Sequence, residues 1–417
     1  MEKEIRLGMI GLGGRGRSLM MQSLSLGRNV VVTAVCDEYI ERAHESADRV
    51  EEKTGRRPEF ITDNYEELLH SGKVDCVIVS TSWEDHIVVS CAAMKAGVPV
   101  GCETGGAYSV SDCYDLVRTY EETKTPFMLL ENCCYGQMEL LTLEMKRKGL
   151  FGKISHCTGG YGHDLRNEII DAYYERKKYR FRNYLRRNCD NYPQHQLGPI
   201  AKILDINKGN RMISLVSIAS KANGIKEYTK AHADKFPQAV DLEFNQGDII
   251  NTIITCANGE TILLTLDTTL PRNYSRFFSV RGTKGGYFEG DRSIYLEDVH
   301  FNPEHEWDPW QPNWGNADKY FEEYKPEIWK KYGEAALNGG HNGMDYMVLS
   351  AFFESVKTGA PMPVDVYDAA SWMSISALSE DSIACGGAPV AIPDFTRGKW
   401  VKYRAPETKP DTDFWLD

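Results

Sequence analysis

The sequence predicts two domains of different fold class: an N-terminal α/β domain with a doubly wound parallel sheet, and a C-terminal α+β domain with an antiparallel sheet. Residues 1–131 alternate short β-rich runs with helical patterns. Beyond about residue 152, strand-like runs follow one another without helices between them. The chain has 417 residues, enough for two or three domains of about 100–200 residues each. We therefore expect a first domain over residues 1–131 and a second over residues 132–417.

Five apolar runs predict the strands of the first domain: Ile5–Ile10, Val30–Cys36, Val74–Ser80, Val98–Cys102 and Pro126–Leu130. The helical patterns between them are Arg17–Leu26, Ile40–Lys53, His86–Ala96 and Asp112–Glu122. Strands that are apolar throughout are buried on both faces, which is typical of a parallel sheet covered by helices. Ligands of such sheets bind beyond the carboxyl ends of the strands.

The second domain contains strand-like runs that are closely spaced, which favours an antiparallel sheet. The predicted strands are Met212–Ala219, Asp248–Cys256, Glu260–Leu266 and Phe277–Arg281. A helix at Leu197–Ile206 precedes them, and two helices at Gly343–Lys357 and Tyr367–Ala384 follow. Residues 300–335 are acidic and aromatic without a clear period, and they predict a long surface segment at the rim of a site.

Composition and charge exclude several classes of protein. The chain has 48 basic and 60 acidic residues, a net charge of -12, whereas nucleic acids and anionic membranes favour basic patches. No apolar run approaches the roughly 18 residues of a membrane span. The first 13 residues contain no basic segment followed by an apolar one, so we predict no secretory signal peptide. These observations predict no nucleic-acid partner and no membrane partner.

The eleven cysteines are odd in number and include no C-x-x-C pair. Such a set is typical of free, buried thiols in a reducing compartment, and we predict a cytoplasmic protein without a metal site.

A glycine-rich turn directly after the first predicted strand fits G-x-G-x-x-G with Gly11, Gly13 and Gly16. Glycines at this spacing permit a tight turn, close approach of the backbone to a pyrophosphate, and close packing of helix on strand. Asp37 ends the second strand, where a carboxylate can accept hydrogen bonds from ribose hydroxyls. Because Glu38 adds a second negative charge that would repel a 2′-phosphate, the motif predicts NAD as cofactor rather than NADP.

Polar residues also follow three later strands, at the edge where ligands of a parallel sheet bind. They are Thr81–His86 after the third predicted strand, Glu103-Thr104 after the fourth and Glu131-Asn132 after the fifth. Helix capping by Ser82 or Asp85 is the alternative explanation of the first group. His86 is either a ligand contact or a structural hydrogen-bonding group.

The nucleotide-binding half resembles the Gfo/Idh/MocA oxidoreductase superfamily. That resemblance implies a Rossmann domain followed by an α+β domain with a large, mostly antiparallel sheet. Members usually carry Glu-Lys-Pro where this chain has Glu103-Thr104-Gly105, so the lysine expected to act in the superfamily's dehydrogenases is absent. This departure argues against a simple sugar or inositol dehydrogenase.

Motifs spread over nearly the whole chain resemble glycoside hydrolase family 109. They are Trp83–His86, Leu130–Tyr135, Gly149–Gly152, Gly160–Arg166, Asn191–Pro199, Leu270–Arg276, Gly340–Asp345, Asp365–Ala369 and Pro393–Gly398. The resemblance implies NAD contacts at Arg15, Gly16, Asp37, Trp83, His86, Glu103, Thr104, Asn132 and Tyr192. It implies contacts with a small glycoside substrate at Tyr161, Arg180, Tyr192, His195 and Tyr274. It also implies a homo-oligomer formed through the sheet of the second domain.

The activity implied by the resemblance is NAD-dependent glycoside hydrolysis, with α-N-acetylgalactosaminidase as the family's named activity. Sugar carbon 3 is oxidised transiently, the group on carbon 1 is eliminated, water adds, and the hydride returns. His195 is the first candidate for proton transfer because an imidazole titrates near neutral pH, and Tyr192 and Tyr161 are further catalytic candidates. His163 and His341 are held in reserve.

Two other interpretations stay open at this point. The first is a dehydrogenase that oxidises a sugar or glycoside at carbon 3 and releases NADH, and the second is a non-catalytic NAD-binding sensor. Arg180 lies in a basic run that is also typical of a solvated face. Without the family resemblance, each tyrosine would be interpreted as a core residue and His195 as a helix-capping or core residue.

Overall fold

The structure is a computed structural model that describes residues 4–174, 179–301, 313–403, 410 and 412–416. The chain divides into two compact units. The first unit contains Met1–Tyr135, Lys331–Ala370 and Arg404–Asp417, and the second contains Gly136–Lys330 and Ser371–Tyr403.

The first unit begins with alternating strands and helices. In chain order these are β1 Ile5–Ile10, α1 Gly14–Ser23, β2 Val30–Cys36, α2 Ile40–Thr54, β3 Phe60–Thr62, α3 Tyr65–His70, β4 Cys76–Val79, α4 His86–Lys95, β5 Val100–Cys102, α5 Val110–Thr123 and β6 Phe127–Leu129. The strands form one parallel sheet in the order β3-β2-β1-β4-β5-β6. All four residues of β4 are buried, as expected for a central strand covered on both faces. A 3-10 turn at Asn132–Tyr135 follows β6.

The rest of the chain builds a second sheet and a set of helices. In chain order the elements are α6 Gln137–Arg147, β7 Ile154–Gly162, α7 Arg166–Tyr174, α8 Tyr179–Arg186, α9 Gln194–Ile203, β8 Met212–Ala219, α10 Gly224–Ala231, β9 Ile249–Cys256, β10 Thr261–Asp267, β11 Ser279–Gly282, β12 Gly285–Phe288, β13 Ser293–Leu296, α11 Glu297–His300, α12 Ala317–Glu323, α13 Glu327–Ala336, α14 Met344–Thr358, α15 Val366–Ala384 and β14 Val390–Ala391. Further 3-10 turns occupy Pro237–Ala239, His341–Gly343 and Lys399–Lys402.

The sheet of the second unit has eight strands in the order β13-β12-β11-β7-β10-β9-β8-β14. Neighbouring strands are antiparallel except β7 and β10, which run parallel. Burial alternates along β9 and β10, so one face of this sheet forms a core and the other is more open. The predicted fold class, a parallel Rossmann sheet followed by a mostly antiparallel sheet, is confirmed.

Several elements differ from the predicted ones. β3 and α3 were not predicted, because one has three residues and the other six and neither shows a clear period. β7 was also missed, since its sequence ISHCTGGYG contains adjacent glycines that are unfavourable in strands. The prediction of an irregular surface segment over residues 300–335 is wrong for its later part, where α12 and α13 form. Residues 302–312 lie outside the described residues.

The compact units differ from the predicted division into 1–131 and 132–417. Their first boundary falls after Tyr135, but residues 331–370 return to the first unit. There the N–H of Leu129 in β6 donates to the carbonyl of Val364 over 3.1 Å. Phe352 of α14 is fully buried against Gly101 of β5, where an added Cβ would lie 3.3 Å from its ring. Such packing between distant segments leaves no local sequence signal.

All eleven cysteines are free, and ten of them are buried. Burial raises the pKa of Cys36 to about 12, so this thiol stays protonated and unreactive. The prediction of free, buried thiols is therefore confirmed except at Cys385, which is exposed. Among the described residues, no helix combines the length and the apolar character needed to cross a membrane.

Candidate active site

The glycine-rich turn of the first unit has the geometry of a dinucleotide phosphate site. Gly11 has φ +88°, and an added Cβ would lie 2.4 Å from the carbonyl oxygen of Ser80. A Cβ on Gly16 would lie 2.0 Å from the carbonyl oxygen of Gly11, so both positions require glycine. Gly13 precedes α1 and faces open space, and no side chain caps the helix there. The N–H groups at the start of α1 are therefore available to a pyrophosphate.

The carboxylate of Asp37 lies at the end of β2, next to this turn. It is buried and accepts hydrogen bonds from the N–H of Leu12 over 2.7 Å and of Tyr39 over 3.0 Å. Each carboxylate oxygen has a second lone pair that can accept from a ribose hydroxyl. The turn and this acid together fit NAD.

Arg15, in the first turn of α1, lies between two carboxylates. Its Nε donates to Glu103 over 2.7 Å, and its Nη1 and Nη2 donate to Asp345 over 2.7 and 2.9 Å. Burial opposes ionisation of Glu103, but Arg15 and the N–H and hydroxyl of Thr104 outweigh it and hold the pKa of Glu103 below its ordinary value. Arg15 therefore ties the phosphate-binding helix to the loop after β5 and to α14.

Asn132 joins the same network, because its Nδ2 donates to Asp345 over 2.8 Å. Asp345 is fully buried, and its pKa is also held well below the ordinary value: burial opposes this, whereas His341 and Arg15 favour it. Sequence reasoning placed Asp345 in a family motif but gave it no role. The i, i+4 spacing of His341 and Asp345 was the only local signal for the pair.

The packing of the loop after β5 explains why this chain has Glu103-Thr104-Gly105 where members of the oxidoreductase superfamily usually carry Glu-Lys-Pro. Trp83 is buried against Gly105, where an added Cβ would lie 2.2 Å from the indole Cδ1. A proline at position 105 is therefore incompatible with this placement of Trp83. Thr104 is buried, and its N–H and hydroxyl both donate to Glu103 Oε1 over 2.8 Å. The Thr-Gly pair and Trp83 thus form one packed arrangement.

His86 begins α4 and is buried. Its Nε2 lies 3.2 Å from the carbonyl oxygen of Thr81, and its Nδ1 has no partner within the described residues. Burial lowers the pKa of His86, so the ring is neutral, with Nε2 as the donor and Nδ1 as a free acceptor.

In the second unit, the predicted substrate residues form one cluster of aromatic rings. The ring centroids of Tyr161 and Tyr192 are 4.9 Å apart, and His195 lies 5.3 Å from Tyr161 and 4.7 Å from Tyr192. Tyr274 is 6.3 Å from Tyr161 and about half exposed. His163 joins the cluster through its Nδ1, 3.0 Å from the hydroxyl of Tyr161, and burial lowers the pKa of His163.

Glycines in β7 permit this clustering. A Cβ on Gly159 would lie 2.5 Å from the side chain of Gln196, so the first turn of α9, which carries His195, approaches the strand closely. Gly162 exchanges backbone hydrogen bonds with Ser275 over 2.9 and 3.0 Å, which brings Tyr274 to the end of β7. The glycines that hid β7 from prediction thus bring His195 and Tyr274 to Tyr161.

The segment that carries Tyr192 is fixed by buried hydrogen bonds. Gln246 donates to the carbonyl of Cys189 over 2.9 Å. The N–H of Asp190 donates to Ser379 over 2.9 Å, and its carbonyl accepts from Ser376 over 2.7 Å. The Asp190 carboxyl accepts from the N–H of Tyr192, and burial raises its pKa to about 7. Sequence reasoning missed Asp190, since burial of a carboxyl group is decided by tertiary packing.

Arg180 lies in α8, with its guanidinium carbon 5.7 Å from the ring centroid of Tyr192 and its Nε 3.5 Å from Glu168. The residues of the predicted basic run just before it, 175–178, lie outside the described residues. The side chain of Arg180 is mostly buried, so it is not part of a solvated face.

Comparison with known families covers almost the whole chain. Residues 5–130 match the oxidoreductase family with an NAD-binding Rossmann fold. Residues 135–402 match the C-terminal domain of glycosyl hydrolase 109. A glycosyl hydrolase family 109 protein of Stenotrophomonas maltophilia (strain K279a) is 38% identical, over 97% of this chain and 91% of the relative. This chain belongs to glycoside hydrolase family 109.

Two further comparisons support the family and the fold. An α-N-acetylgalactosaminidase of Tannerella forsythia is 37% identical, over 95% of this chain and 87% of the relative. The solved structure of levoglucosan dehydrogenase in complex with NADH and levoglucosan has a TM-score of 0.66 at 15% identity. The superposition covers 94% of this chain and 100% of the levoglucosan dehydrogenase chain. At 15% identity, the likeness shows the fold alone.

Membership of family 109 confirms the predicted family, the enzyme class and the cofactor: the protein is an NAD-dependent glycoside hydrolase. The roles of individual residues stay predictions. The structure brings together Gly11, Gly13, Arg15, Gly16 and Asp37 around the phosphate turn, and Glu103, Thr104, Trp83 and Asn132 in the loops beyond the strands. It brings together Tyr161, Tyr192, His195, Tyr274 and Arg180 in the second unit.

Proposed function

We propose that this member of family 109 hydrolyses α-N-acetylgalactosaminides through transient oxidation of the sugar at carbon 3. The named activity of the Tannerella forsythia relative supports the sugar, and its 37% identity extends over 95% of this chain. The ring cluster of Tyr161, Tyr192 and His195 carries the assignment of the residues, because it combines an imidazole with two phenol groups within 4.7–5.3 Å between ring centroids.

NAD, when bound, supplies the hydride acceptor for sugar carbon 3 and returns the hydride at the end of the cycle. Residues of the first unit would hold it: the turn with Gly11, Gly13 and Gly16 at the pyrophosphate, and Asp37 at the ribose. The buried Trp83 and Glu103 support the loops beyond the sheet.

His195 would take the proton from carbon 2 once carbon 3 is a ketone, because the neighbouring carbonyl makes that proton acidic. The leaving group then departs from carbon 1 by elimination, and water adds across the double bond. Tyr192 and Tyr161 would hydrogen-bond sugar hydroxyls, and the half-exposed ring of Tyr274 offers an apolar surface for the sugar. Arg180 would orient Tyr192 through its position over the ring.

A glycosidase assay tests this proposal directly. The purified protein is incubated with p-nitrophenyl α-N-acetylgalactosaminide without added NAD, and both nitrophenol release and absorbance at the NADH band are followed. We expect sustained release without net NADH, and deuterium incorporation at carbon 2 in heavy water. Stoichiometric NADH with an intact glycosidic bond would instead identify a sugar dehydrogenase. p-Nitrophenyl α-galactoside and β-N-acetylglucosaminide test the choice of sugar.

Two variants test the proton-transfer role. His195→Ala is expected to lower turnover by about 10²–10⁴-fold, the usual contribution of a positioned acid or base, with NAD content unchanged. The matched control is His232→Ala, since His232 packs on Tyr228 at the end of α10 and has no proposed role in catalysis. Undiminished turnover of the His195 variant would remove the assignment.

We also propose that two copies associate through the open face of the second unit's sheet. Val216, Ile253 and Leu263 lie side by side in register across β8, β9 and β10, and Ile253 is half exposed. A row of aliphatic side chains on an open sheet face favours burial against a partner. Ile253→Lys is expected to shift the mass in light scattering from that of a dimer to that of a monomer, and a wild-type monomer would contradict this.

A cytoplasmic location is proposed from the eleven free thiols, which persist in reducing compartments. Cell fractionation followed by immunoblotting tests it, and recovery outside the cytoplasm would contradict it.

A further inference from the structure

The carboxylate of Asp345 connects three separate segments of the first unit. It accepts five hydrogen bonds: two from Arg15 in α1, one from Gln22 Nε2 in α1 over 3.1 Å, one from Asn132 after β6, and one from His341 Nδ1 over 2.8 Å. A fully buried carboxylate with this many donors holds all of them in fixed positions. Asp345 therefore sets the position of the first turn of α1, where the phosphate-binding N–H groups lie.

His341 is held differently at its two ring nitrogens. Its Nδ1 lies 2.8 Å from Asp345 and 3.4 Å from Arg15 Nη1, and the shorter contact with a carboxylate requires Nδ1 to carry a proton. Its Nε2 has no hydrogen-bond partner within the described part of the chain, and about half of the side chain is exposed. The ring is thus oriented by a buried acid while its outer nitrogen remains available.

The backbone at His341 is held in an unfavourable conformation. His341, Asn342 and Gly343 have φ values of +52°, +53° and +92°, and the first two residues are not glycine. The turn is fixed by the N–H of Gly340, which donates to Gln22 over 2.8 Å. A Cβ on Gly340 would lie 2.6 Å from Asp345, so the turn packs directly on the acid. Strain of this kind is concentrated at functional sites.

The charges around Arg15 indicate what the outer nitrogen of His341 binds. Arg15 contributes one positive charge, whereas Glu103 and Asp345 contribute two negative charges. This excess negative charge lies beside the turn that takes the diphosphate of NAD, and it would weaken the binding of an anion. A hydrogen-bond donor on the outer nitrogen of His341 would offset this repulsion, because hydrogen bonds to charged groups are stronger than those between neutral groups.

We propose that His341 is a further NAD-binding residue that donates from Nε2 to the diphosphate, and that Asp345 is a positioning residue that fixes both His341 and Arg15. The inference rests on NAD binding and not on the sugar proposed above. Its test therefore measures NAD affinity, and its failure would leave the glycosidase assay unaffected.

The experiment is titration calorimetry of nucleotide-free protein with NAD, together with thermal melting of each variant. His341→Gln is expected to weaken NAD binding by about 10–100-fold, the usual range for a hydrogen bond to a charged group, with a smaller decrease in Tm than Asp345→Asn. Asp345→Asn is expected to weaken binding at least as much and also to lower Tm. The double variant should bind no more weakly than Asp345→Asn, because Asp345 acts through His341 and Arg15.

Glu354→Gln is the matched control. Glu354 also lies in α14 of the first unit and pairs with Arg28 over 2.9 Å, away from the glycine-rich turn. It should lower Tm while changing the Kd for NAD by less than about twofold. An NAD affinity of His341→Gln equal to that of the wild type would overturn the proposed contact between His341 and NAD. A loss of affinity in Glu354→Gln as large as in Asp345→Asn would overturn the positioning role.

Discussion

Replacing Asp190 by asparagine is expected to increase the free energy of unfolding of the variant relative to that of the wild type as the pH rises from 5 to 8. Burial raises the pKa of the Asp190 carboxyl from its ordinary value of 3.8 to about 7. Between these values the folded chain holds a proton that the unfolded chain releases. The free energy of unfolding of the wild type therefore falls as the pH rises from about 4 to about 7, and this contribution is constant above 7.

The magnitude follows from the size of the shift. A difference of about three between the pKa values of Asp190 in the folded and unfolded chains lowers the free energy of unfolding by roughly 4 kcal/mol at pH 7 and above. Roughly 3 kcal/mol of this loss develops between pH 5 and 8. Asparagine retains an acceptor for the N–H of Tyr192 and has no carboxyl proton to lose. Its buried NH2 group costs about 1–3 kcal/mol if it finds no acceptor, but that cost does not change with pH.

The assay is thermal melting of the wild type and of Asp190→Asn at pH 5, 6, 7 and 8. For a domain of 150–250 residues, 1 kcal/mol shifts Tm by about 2–4 °C, so the difference in Tm should grow by about 6–12 °C over this range. Asp394→Asn is the control, because hydrogen bonds from Thr396 and Gly398 outweigh burial and lower the pKa of Asp394. Its loss of stability should be the same from pH 5 to 8. Parallel profiles for Asp190→Asn and the wild type would refute the reasoning.

Three further predictions concern the NAD-binding turn of the first unit, the ring cluster of the second unit and the buried carboxylates around Arg15. Gly11→Ala should lower Tm by several degrees and abolish NAD binding, because its Cβ would clash with the backbone of Ser80 at a positive φ. Gly13→Ala, whose Cβ meets no atom within 4 Å, should melt like the wild type and bind NAD more weakly. Equal melting temperatures of the two variants would contradict the prediction for Gly11→Ala. Tyr192→Phe keeps the ring but loses the hydroxyl, so kcat should fall by about 10–100-fold with an unchanged Tm, as steady-state kinetics would show. The pKa values of Glu103 and Asp345 lie below their ordinary values of 4.5 and 3.8, so their stabilisation of the fold is complete above about pH 5 and declines progressively as the pH falls further; Tm should therefore decrease steadily from pH 5 to pH 3, and a constant Tm over this range would contradict this.

The glycine-rich turn was predictable because its constraints are local. Gly11 needs a positive φ and Gly16 a close approach, and both needs are met within one strand-turn-helix segment. The family motifs likewise identified Tyr161, Tyr192 and His195. That these rings form one cluster depends on Gly159 and Gly162 in β7, a strand that glycine content had hidden.

Asp345 and Asp190 were not predictable from local sequence. Asp345 acts on Arg15, which lies 330 positions earlier in the chain, and nothing near either residue indicates the pairing. Asp190 differs from an ordinary aspartate because it is buried, in a segment that Gln246, Ser376 and Ser379 hold by hydrogen bonds. Both carboxyl groups have shifted pKa values because of burial and partners that come from elsewhere in the chain.

The sequence by itself determined the two fold classes, the NAD-binding turn and the enzyme family, and it supplied the residues proposed for the site. Each of these depends on patterns within about 30 residues or on motifs that can be compared directly. The tertiary structure alone decided that residues 331–370 return to the first unit, that Arg15 lies between two carboxylates, and which carboxyl groups are buried. These features depend on contacts between distant segments, because the dielectric surroundings and hydrogen-bond partners of a side chain are set only when the chain has folded.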